Sequence, residues 1–379
     1  MKIGLLKEPD YEHRVALLPE SVKTLTDLKT EVIIEKNAGA QAFASDNEYE
    51  SAGGHCAART DALSCDIILS IHPIAEQEIQ ALKSNQVMIS AFQPLANKEL
   101  VEQLLGLKTT SFSLDNIPRT TRAQAMDILS SQATVAGYKA VLLAASSAPK
   151  FFPMFMTAAG SIIPSKVLVL GAGVAGLQAI ATARRLGAVV EAFDVRTAAE
   201  EEVKSLGAKF VKVEGAKDEA SAGGYAVEQS EEYKQKQQAL IQEHAAKANI
   251  IICTAQIPGR KAPVLITADT VKKMSAGSVI VDMAASTGGN CELTENDQTV
   301  LKHDVTIIGN SNLPSSMPSD ASKMFGKNVV NFLKLIIGEE GELNLNWEDD
   351  IVANTCVTYN GDVKSERVNN ILFQSSKTS

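Results

Sequence analysis

A glycine-rich turn between an apolar run and a helical segment restricts the fold of this chain more than any other feature. The run Lys166–Leu170 leads directly into Gly171-Ala-Gly173-Val-Ala-Gly176, and the helical pattern opens on the last glycine. The first glycine permits a tight turn, the second lets the backbone approach a pyrophosphate, and the third lets helix and strand pack closely. This order of strand, G-x-G-x-x-G and helix predicts a Rossmann domain that binds a dinucleotide.

An acidic residue follows the next predicted strand, Val189–Phe193, at the place where such domains meet the adenosine ribose. This residue is Asp194, about 20 residues beyond the glycine loop. A carboxylate there accepts a hydrogen bond from a free ribose 2′-hydroxyl and repels a 2′-phosphate. The pattern therefore favours NAD(H) over NADP(H), although the positive charge of Arg196 works against this preference.

Length and composition predict a soluble α/β protein of two domains. At 379 residues the chain exceeds the size at which one hydrophobic core keeps growing. Hydrophobic residues make up 45% and charged residues 21%, which argues against disorder. The formal charge of -9, without a Lys/Arg block, argues against a nucleic-acid partner.

The cysteines and histidines predict reduced thiols and no metal site. The five cysteines contain no C-x-x-C pair, and the five histidines are scattered without metal-ligand spacing. The first residues read as a strand and not as a signal peptide. The most apolar stretch, residues 140–164, is interrupted by Pro149, Lys150 and Pro153, so no membrane span is expected. These observations predict a cytoplasmic protein.

Alternating apolar runs and amphipathic segments predict two Rossmann-like domains with mainly parallel sheets, joined by a long helix with a cleft between them. We expect one domain over residues 1–125 and 325–379, and a nucleotide-binding domain with the connecting helix over residues 126–324. The predicted strands are Lys2–Leu6, Glu31–Glu35, Asp66–Ile71, Gln86–Ala91, Thr109–Leu114, Lys166–Leu170, Val189–Phe193, Lys209–Val213, Ile250–Thr254, Ser278–Met283 and Val305–Gly309. The predicted helices are Pro19–Leu28, Ala75–Leu82, Asn97–Leu105, Arg122–Ser146 and Phe325–Ile337, the last after a loop over residues 311–324.

The predicted helix Arg122–Ser146 carries a strip of polar side chains. Gln124, Asp127 and Ser131 fall at i, i+3 and i+7 and share one helical face, with Ser130 beside it. The strip can orient a nicotinamide by hydrogen bonds, or it can be the exposed face of a connecting helix. The pattern alone leaves both interpretations open.

The stretch Glu214–Gln238 departs from the short loops elsewhere in the chain. Its centre, Gly223-Gly224-Tyr225, can form a mobile lid that closes an aromatic ring over the cofactor. A surface insertion without function explains the same residues equally well.

These segments together resemble one family across nearly the whole chain, the NAD(H)-binding alpha subunit (domain I) of proton-translocating NAD(P) transhydrogenases. The resemblance is carried by RVALLPESV, RAQAMDILSSQ, AGYKAV, FPMFMTAAG, VLGAGVAGLQAIATARRLGA, FDVR, AGGYA, IPGRKAPVLI and GGNCELTE. The segment around Gln124 and Asp127 is more specific than the glycine loop, and it favours the nicotinamide role for the polar strip.

The resemblance implies direct hydride transfer between NAD(H) bound here and NADP(H) on a partner subunit, coupled to proton translocation. It implies a homodimer in the cytoplasm, peripheral to the inner membrane through membrane-embedded and NADP(H)-binding subunits. The residues implied around the dihydronicotinamide are Arg119, Gln124, Asp127 and Ser130. The residues expected to bind the cofactor are Gly171, Gly173, Val174, Ala175, Gly176, Asp194, Val195, Arg196, Gly224, Tyr225, Thr254, Ala255 and Gln256.

Two alternatives have different consequences. Alanine dehydrogenase shares the fold and the segment Arg14–Pro19, but it needs a lysine and a histidine where this chain has His72 and Gln93. Without them, amination of a 2-oxo acid lacks acid/base groups, and Lys7 and Arg14 are expected to be salt-linked structural residues. The second alternative is a non-catalytic module that senses NAD.

Overall fold

A computed structural model describes residues 1–84, 86–213, 231–256 and 260–374. The chain forms two compact units, the first of Met1–Gln132 with Pro314–Ser379 and the second of Ala133–Leu313. The boundaries fall at 132/133 and 313/314, where the sequence pattern suggested 125/126 and 324/325.

The strands, in chain order, are β1 Lys2–Leu5, β2 Glu31–Glu35, β3 His55–Ala57, β4 Ile67–Leu69, β5 Val87–Ser90, β6 Thr110–Ser113, β7 Phe155–Thr157, β8 Gly160–Ile162, β9 Lys166–Leu170, β10 Val189–Phe193, β11 Lys209–Phe210, β12 Ile250–Cys253, β13 Val279–Asp282, β14 Gln298–Lys302, β15 Val305–Gly309, β16 Cys356–Tyr359 and β17 Asp362–Val363.

The α-helices are α1 Pro19–Asp27, α2 Asp46–Ser51, α3 Arg59–Leu63, α4 Glu76–Gln80, α5 Lys98–Gly106, α6 Ile128–Ser147, α7 Val174–Arg185, α8 Ala199–Ser205, α9 Glu231–Lys247, α10 Ala268–Val271, α11 Pro318–Leu333, α12 Asp350–Thr355 and α13 Glu366–Asn369. Short 3-10 turns cover Ala40–Ala42, Leu114–Asn116, Thr121–Met126, Ala285–Thr287 and Leu313–Ser316, and a π-helical turn covers Asn370–Gln374.

The first unit is built on an eight-stranded sheet in the order β17-β16-β6-β5-β4-β1-β2-β3. The six strands from β6 to β3 are parallel, and β16 and β17 extend the β6 edge in antiparallel pairing. Helix α11 packs on this sheet, where Phe332 meets Phe112 edge to face with ring centroids 5.3 Å apart. The C-terminal segment therefore completes the first unit.

The second unit has a seven-stranded sheet in the order β11-β10-β9-β12-β13-β15-β14. All pairs are parallel except β15 with β14. Numbered within the unit, the parallel strands follow the order 3-2-1-4-5-6 of the doubly wound nucleotide-binding fold. The first unit repeats this order from β3 to β6, so the predicted class of two Rossmann-like, mainly parallel α/β domains is confirmed. The cleft expected between them stays a prediction.

Three of the four strands at the edges of the two sheets are short. Strands β17 and β11 have two residues each and β3 has three, while the five-residue β14 carries mostly exposed or half-buried side chains. A separate antiparallel hairpin, β7 with β8, lies outside both sheets. The sequence pattern missed β3, β14, β16, β17 and this hairpin.

The predicted single helix from Arg122 to Ser146 is wrong at its start. A 3-10 turn covers Thr121–Met126, Asp127 has an extended backbone (φ -73°, ψ 95°), and helix α6 begins at Ile128. The Asp127 carboxylate accepts hydrogen bonds from the backbone N–H of Ser130 at 2.9 Å and from its hydroxyl at 2.6 Å. Asp127 therefore caps the helix, a role that short acidic side chains favour.

Two other boundaries differ from the sequence pattern. Helix α11 begins at Pro318, inside the predicted loop 311–324, because proline is accommodated in the first turn of a helix. Helix α9 covers Glu231–Lys247, so the last residues of the predicted stretch Glu214–Gln238 are helical.

Helix α6 is the one helix, among the described residues, that is long and apolar enough to cross a membrane, with a mean hydropathy of 1.2. Its residues Ala136, Ala140, Val141 and Ala144 are buried in the core of the second unit. Core helices of soluble proteins can have the same length and composition, and 39% of the apolar stretch of α6 is buried.

Candidate functional site

The glycine loop of the second unit requires glycine at its first and third positions. Gly171 has φ +95°, and a Cβ there would lie 2.6 Å from Oγ1 of Thr254. A Cβ on Gly176 would lie 1.8 Å from the carbonyl oxygen of Gly171. The tight turn and the close approach of α7 to β9 therefore both follow from these glycines, as the motif predicts.

The second glycine differs because packing does not require it. Gly173 has an ordinary φ of -75°, and a Cβ there would meet no protein atom within 4 Å. It is the N-terminal cap of α7, whose first turn contains no acidic residue and whose cap makes no side-chain hydrogen bond. The first N–H groups of a helix lack intrahelical acceptors, so open space beside them suits an anionic group such as a phosphate.

Helix α6 closes on this loop through a glycine that the sequence pattern did not reveal as functional. A Cβ on Gly137 would lie 2.1 Å from the carbonyl oxygen of Ala175 and 2.9 Å from its carbonyl carbon. Ala175 belongs to the first turn of α7, directly behind Gly173. The absence of a side chain at Gly137 therefore lets two helix backbones approach each other beside the candidate phosphate site.

The loop lies at the switch point of the strand order, between β9 and β12. The ends of these strands are paired, with Leu170 opposite Cys253. The hydroxyl of Thr254 donates to the carbonyl of Gly171 at 2.9 Å, and its N–H donates to the carbonyl of Leu170 at 2.8 Å. Ligands of doubly wound sheets bind at such a point, so the predicted residues Thr254, Ala255 and Gln256 border it.

A buried carboxylate supports this border from behind. Asp282 is fully buried and accepts hydrogen bonds from the N–H groups of Ala284, Asn290 and Cys291 and from the hydroxyl of Thr294. The Asn290 amide then bonds the N–H of Ala255 at 3.0 Å and its carbonyl at 2.9 Å.

Sequence reasoning missed Asp282 and Asn290 as positioning residues. Asp282 at the end of an apolar strand was the available signal, since an unpaired buried carboxylate is costly.

The predicted ribose residue Asp194 lies at the end of β10 with its carboxylate fully engaged. One oxygen accepts the N–H of Ala172 at 2.7 Å and Nη2 of Arg196 at 2.9 Å. The other accepts the N–H of Arg196 at 2.8 Å and its Nε at 2.9 Å. The carboxylate is held within reach of the glycine loop, and the Arg196 guanidinium covers its outer edge, a contact that the pattern did not predict.

The remaining predicted cofactor residues are distributed as follows. Val174 and Ala175 open α7, and Val195 is half-buried against the core. The Gln256 side chain donates to the carbonyl of Met283 at 3.1 Å. Gly224 and Tyr225, with the predicted lid, lie outside the described residues.

The predicted nicotinamide residues Arg119, Gln124, Asp127 and Ser130 all belong to the first unit. Gln124 is exposed in the 3-10 turn, Arg119 is exposed just before it, and Asp127 and Ser130 are joined by the cap at the start of α6. Arg122 beside them pairs with Asp349 through two hydrogen bonds of 2.7 Å. The predicted common helical face does not exist, since the extended Asp127 separates the 3-10 turn from the helix.

The switch point of the first unit, between β1 and β4, is filled by the protein's own charged side chains. The Glu8 carboxylate accepts the N–H groups of Ile71 at 2.6 Å and His72 at 3.1 Å. Burial raises the pKa of Glu8 to about 7. Glu12 accepts Nε and Nη2 of Arg14 at 2.8 and 2.6 Å and lies 2.9 Å from Nε2 of His72.

The charge balance of this cluster, Glu8-Glu12-Arg14-His72, follows from these contacts. Burial acts to raise the pKa of Glu12, but hydrogen bonds from Arg14 and His72 hold it well below its usual range. Arg14 is thus committed to Glu12. Gln93 is the second position, besides His72, at which alanine dehydrogenase needs a different residue. It is exposed and has a left-handed backbone (φ 48°).

The five cysteines are held in the thiol form by burial. Burial raises the pKa of all five cysteines. Within the described ranges, no three His, Cys, Asp or Glu side chains are grouped to hold a metal ion.

Comparison with known families agrees with this geometry. The family model for the alanine dehydrogenase/PNT N-terminal domain matches residues 4–136, and the one for the C-terminal domain matches residues 140–366. The chain belongs to the alanine dehydrogenase/PNT family. The resemblance inferred from the sequence is confirmed.

Individual relatives separate the two branches of the family. An NAD(P) transhydrogenase subunit alpha chain of Rhodospirillum rubrum is 46% identical over 96% of this chain and 97% of its own length. The crystal structure of transhydrogenase from Sinorhizobium meliloti is 44% identical, with a TM-score of 0.88 over 96% of this chain and 100% of that one. An L-alanine dehydrogenase structure is 25% identical, with a TM-score of 0.81 over 98% of this chain and 99% of that one. The chain is therefore of the transhydrogenase alpha-subunit type.

Proposed function

We propose that this chain is the NAD(H)-binding subunit of a proton-translocating transhydrogenase and transfers hydride directly between NAD(H) and NADP(H) held by a partner subunit. The observation that carries the proposal is the glycine loop at the switch point of the second unit. Open space at Gly173, uncapped N–H groups at α7 and a fixed carboxylate at Asp194 together suit a dinucleotide.

Each residue group has a distinct role in this proposal. The backbone from Gly171 to Gly176 holds the pyrophosphate. The Asp194 carboxylate accepts a hydrogen bond from the adenosine ribose hydroxyl once the Arg196 guanidinium moves off the outer edge of that carboxylate. Arg119, Gln124, Asp127 and Ser130 orient the dihydronicotinamide, which supplies the hydride when bound. Since no proton moves to or from a substrate in hydride transfer, these side chains act by orientation and exclusion of water.

The primary experiment mixes the purified chain with the NADP(H)-binding subunit of a transhydrogenase. Reduction of an NAD analogue with a distinct absorbance by NADPH is followed, and binding of both nucleotides is measured separately. Transfer that requires both proteins is the expected result. Absence of transfer while both nucleotides bind would overturn the proposal and leave an NAD-sensing module.

The role of Asp127 can be separated from its structural cap. Asparagine is as good a helix cap as aspartate, so Asp127→Asn preserves the start of α6 while it removes the charge. We expect this variant to lose hydride transfer far more than NADH affinity. An equal loss of both would mean that Asp127 only binds the nucleotide.

Gln124 is tested in the same assay. Gln124→Ala should slow transfer, whereas Gln103→Ala should not, because Gln103 is a glutamine of the same unit whose side chain bonds the exposed Glu76. Equal rates for the two variants would remove Gln124 from the site.

An alanine dehydrogenase activity is disfavoured by the first unit. Arg14 is paired with Glu12, His72 contacts the same carboxylate, and Gln93 stands where an imidazole is needed. Alanine-dependent formation of NADH should therefore be absent from the isolated chain. Its presence would overturn this assignment.

We also propose that the chain forms a homodimer through the hairpin of β7 and β8. Both strands are exposed on both faces, and their apolar side chains are exposed as well. Met156 in β7 is 78% exposed, and Ile163, just after β8, is 80% exposed. Contiguous exposed apolar surface marks an interaction site, and an antiparallel ribbon can pair with its own copy about a twofold axis.

The dimer proposal is tested by the mass in solution. Met156→Lys should yield a monomer by light scattering, while Leu301→Asp, at another exposed apolar residue (68%), should keep the dimer. A monomeric wild-type protein would refute it. Docking on membrane-embedded subunits at the cytoplasmic side of the inner membrane is part of the same proposal, tested by co-purification with a membrane partner.

A further inference from the structure

Arg14 has a contact that neither the glycine loop nor the charge cluster explains. Its Nε and Nη2 hold Glu12, and its Nη1 donates to Oε1 of Gln132 at 2.8 Å. The Arg14 side chain is 7% exposed and the Glu12 side chain is fully buried. A guanidinium presents its N–H groups in a fixed fork, so the bonds to Glu12 also fix the direction of the bond to Gln132.

The bond from Arg14 orients the Gln132 side-chain amide. Since Oε1 accepts from Arg14, Nε2 is turned towards acceptors, and it donates to the carbonyl of Ala321 at 3.1 Å and to Oγ of Ser131 at 3.3 Å. Gln132 lies in the first turns of α6, just after the cap formed by Asp127 and Ser130.

The hydrogen bonds continue past Gln132 to the other side of that cap. The hydroxyl of Ser131 donates to Oδ1 of Asn328 at 2.6 Å, and Nδ2 of Asn328 donates to the carbonyl of Ala125 at 2.8 Å. Asn331 donates to the same carbonyl at 3.1 Å. Asp127 and Ser130 are thus held between two fixed points, Ala125 before them and Ser131 with Gln132 after them.

This arrangement begins at the switch point of the first unit, where doubly wound sheets ordinarily bind a ligand. Here the position is filled by Glu8, Glu12 and His72, and Arg14 extends from it to α6. The side chains connect a place without an assigned ligand to the residues of the proposed nicotinamide site.

We propose that Arg14 is a positioning residue for hydride transfer, acting through Gln132 on the cap formed by Asp127 and Ser130. The inference rests on the proposed function. Reacting groups must be aligned closely, and a misplacement of about 1 Å can lower a rate by about 100-fold without contact between the altered residue and the substrate.

The test uses Arg14→Lys in the complete two-protein assay. Lysine keeps a positive charge beside the buried Glu12, but it lacks the planar fork that reaches Glu12 and Gln132 together. The hydride-transfer rate at saturating nucleotides should fall by about 10-fold or more, while KM for NADH changes less than about threefold. Arg59→Lys is the matched control, because Arg59 pairs with Glu35 and Glu78 in the same unit.

A second variant separates positioning from loss of folding. Gln132→Met removes both the oxygen that accepts from Arg14 and the nitrogen that donates to Ala321 and Ser131. Adding Arg14→Lys to this variant should lower the rate only slightly more, because the effects of coupled residues are not additive. Thermal unfolding of each variant is measured beside the rate.

The outcomes are distinct. If the wild type transfers hydride and Arg14→Lys does so at the same rate, the inference is overturned while the proposed function stands. The same holds if the fold-loss of the double variant equals the product of the fold-losses of Arg14→Lys and Gln132→Met. A parallel fall of rate and NADH affinity would also overturn it. Absence of transfer in the wild type, with both nucleotides bound, would overturn the proposed function.

Discussion

Replacing Gly137 with alanine should push α6 away from the candidate nucleotide loop. The new Cβ would lie 2.1 Å from the carbonyl oxygen of Ala175, more than 1 Å short of the 3.4 Å at which ordinary van der Waals contact begins. The obstacle is backbone on both sides, so no side-chain rotation relieves it. Helix α6 or the first turn of α7 must move.

The stability change combines two opposing effects. Alanine favours a helix interior over glycine by up to about 1 kcal/mol, while overpacking typically costs about 1–3 kcal/mol. Because rigid backbone atoms oppose the new methyl, we expect the upper part of that range and a net loss of roughly 1–2 kcal/mol. For a unit of this size the melting temperature should fall by about 2–8 °C.

The assay is thermal unfolding by far-ultraviolet circular dichroism, with an NADH fluorescence titration on the same samples. Gly106→Ala is the control, because Gly106 is likewise a helical glycine and a Cβ there would meet nothing within 4 Å. Gly106→Ala should melt at or above the wild-type temperature and bind NADH unchanged. If Gly137→Ala melts as high as this control, the close helix approach is not a constraint and the reasoning fails.

Three further changes have defined outcomes. Glu8→Gln should gain stability relative to wild type as pH rises from about 4.5 to about 7, because in this range the unfolded wild-type chain releases the Glu8 proton while the folded state, with its raised pKa, retains it; pH-dependent urea unfolding checks this, and a flat difference would contradict it. Asp282→Asn should destabilise the second unit by roughly 3 kcal/mol, because an amide nitrogen would face N–H donors, whereas Thr294→Val should cost about 1 kcal/mol; equal melting temperatures would refute this. Arg196→Gln should tighten NADH binding, because the Asp194 carboxylate loses a guanidinium that competes with the ribose hydroxyl. The affinity for nicotinamide mononucleotide, which lacks the adenosine ribose, should not change. Weaker NADH binding would mean that Arg196 contacts the dinucleotide.

The buried parallel strands were the most predictable part of the fold. The bounds of β2, β9, β10 and β15 agree with the sequence pattern residue for residue, because a strand covered on both faces is a continuous apolar run with a sharp end. The edge strands β3, β14 and β17 and the exposed hairpin were missed, since partly solvated strands need no such run. The buried β16 was missed as well, and it pairs with β6, which is distant in sequence.

The site divides into a motif that the sequence shows and side-chain contacts that it does not show. The glycine loop was recognisable from the sequence as a motif, although the Cβ of Gly171 would meet the distant Thr254 and only that of Gly176 would meet a nearby atom, the carbonyl oxygen of Gly171. The engagement of Asp194 by Arg196, the support of Ala255 by Asn290 and the helix cap at Asp127 depend on side-chain geometry that composition does not reveal. The sequence from Arg122 to Ser146 is rich in residues that favour helices, so its pattern did not predict that the helix begins only after Asp127.

Three of the four outer strands, β17, β3 and β11, are short, and this affects how the protein behaves when concentrated. Strands of two or three residues offer too few unpaired backbone groups to template another chain, which is how many natural sheets avoid joining edge to edge. In the proposed dimer, contacts between copies are made by the hairpin of β7 and β8, and pairing about a twofold axis closes on itself instead of propagating. That arrangement would produce a discrete assembly and not an open-ended fibre when the protein is concentrated.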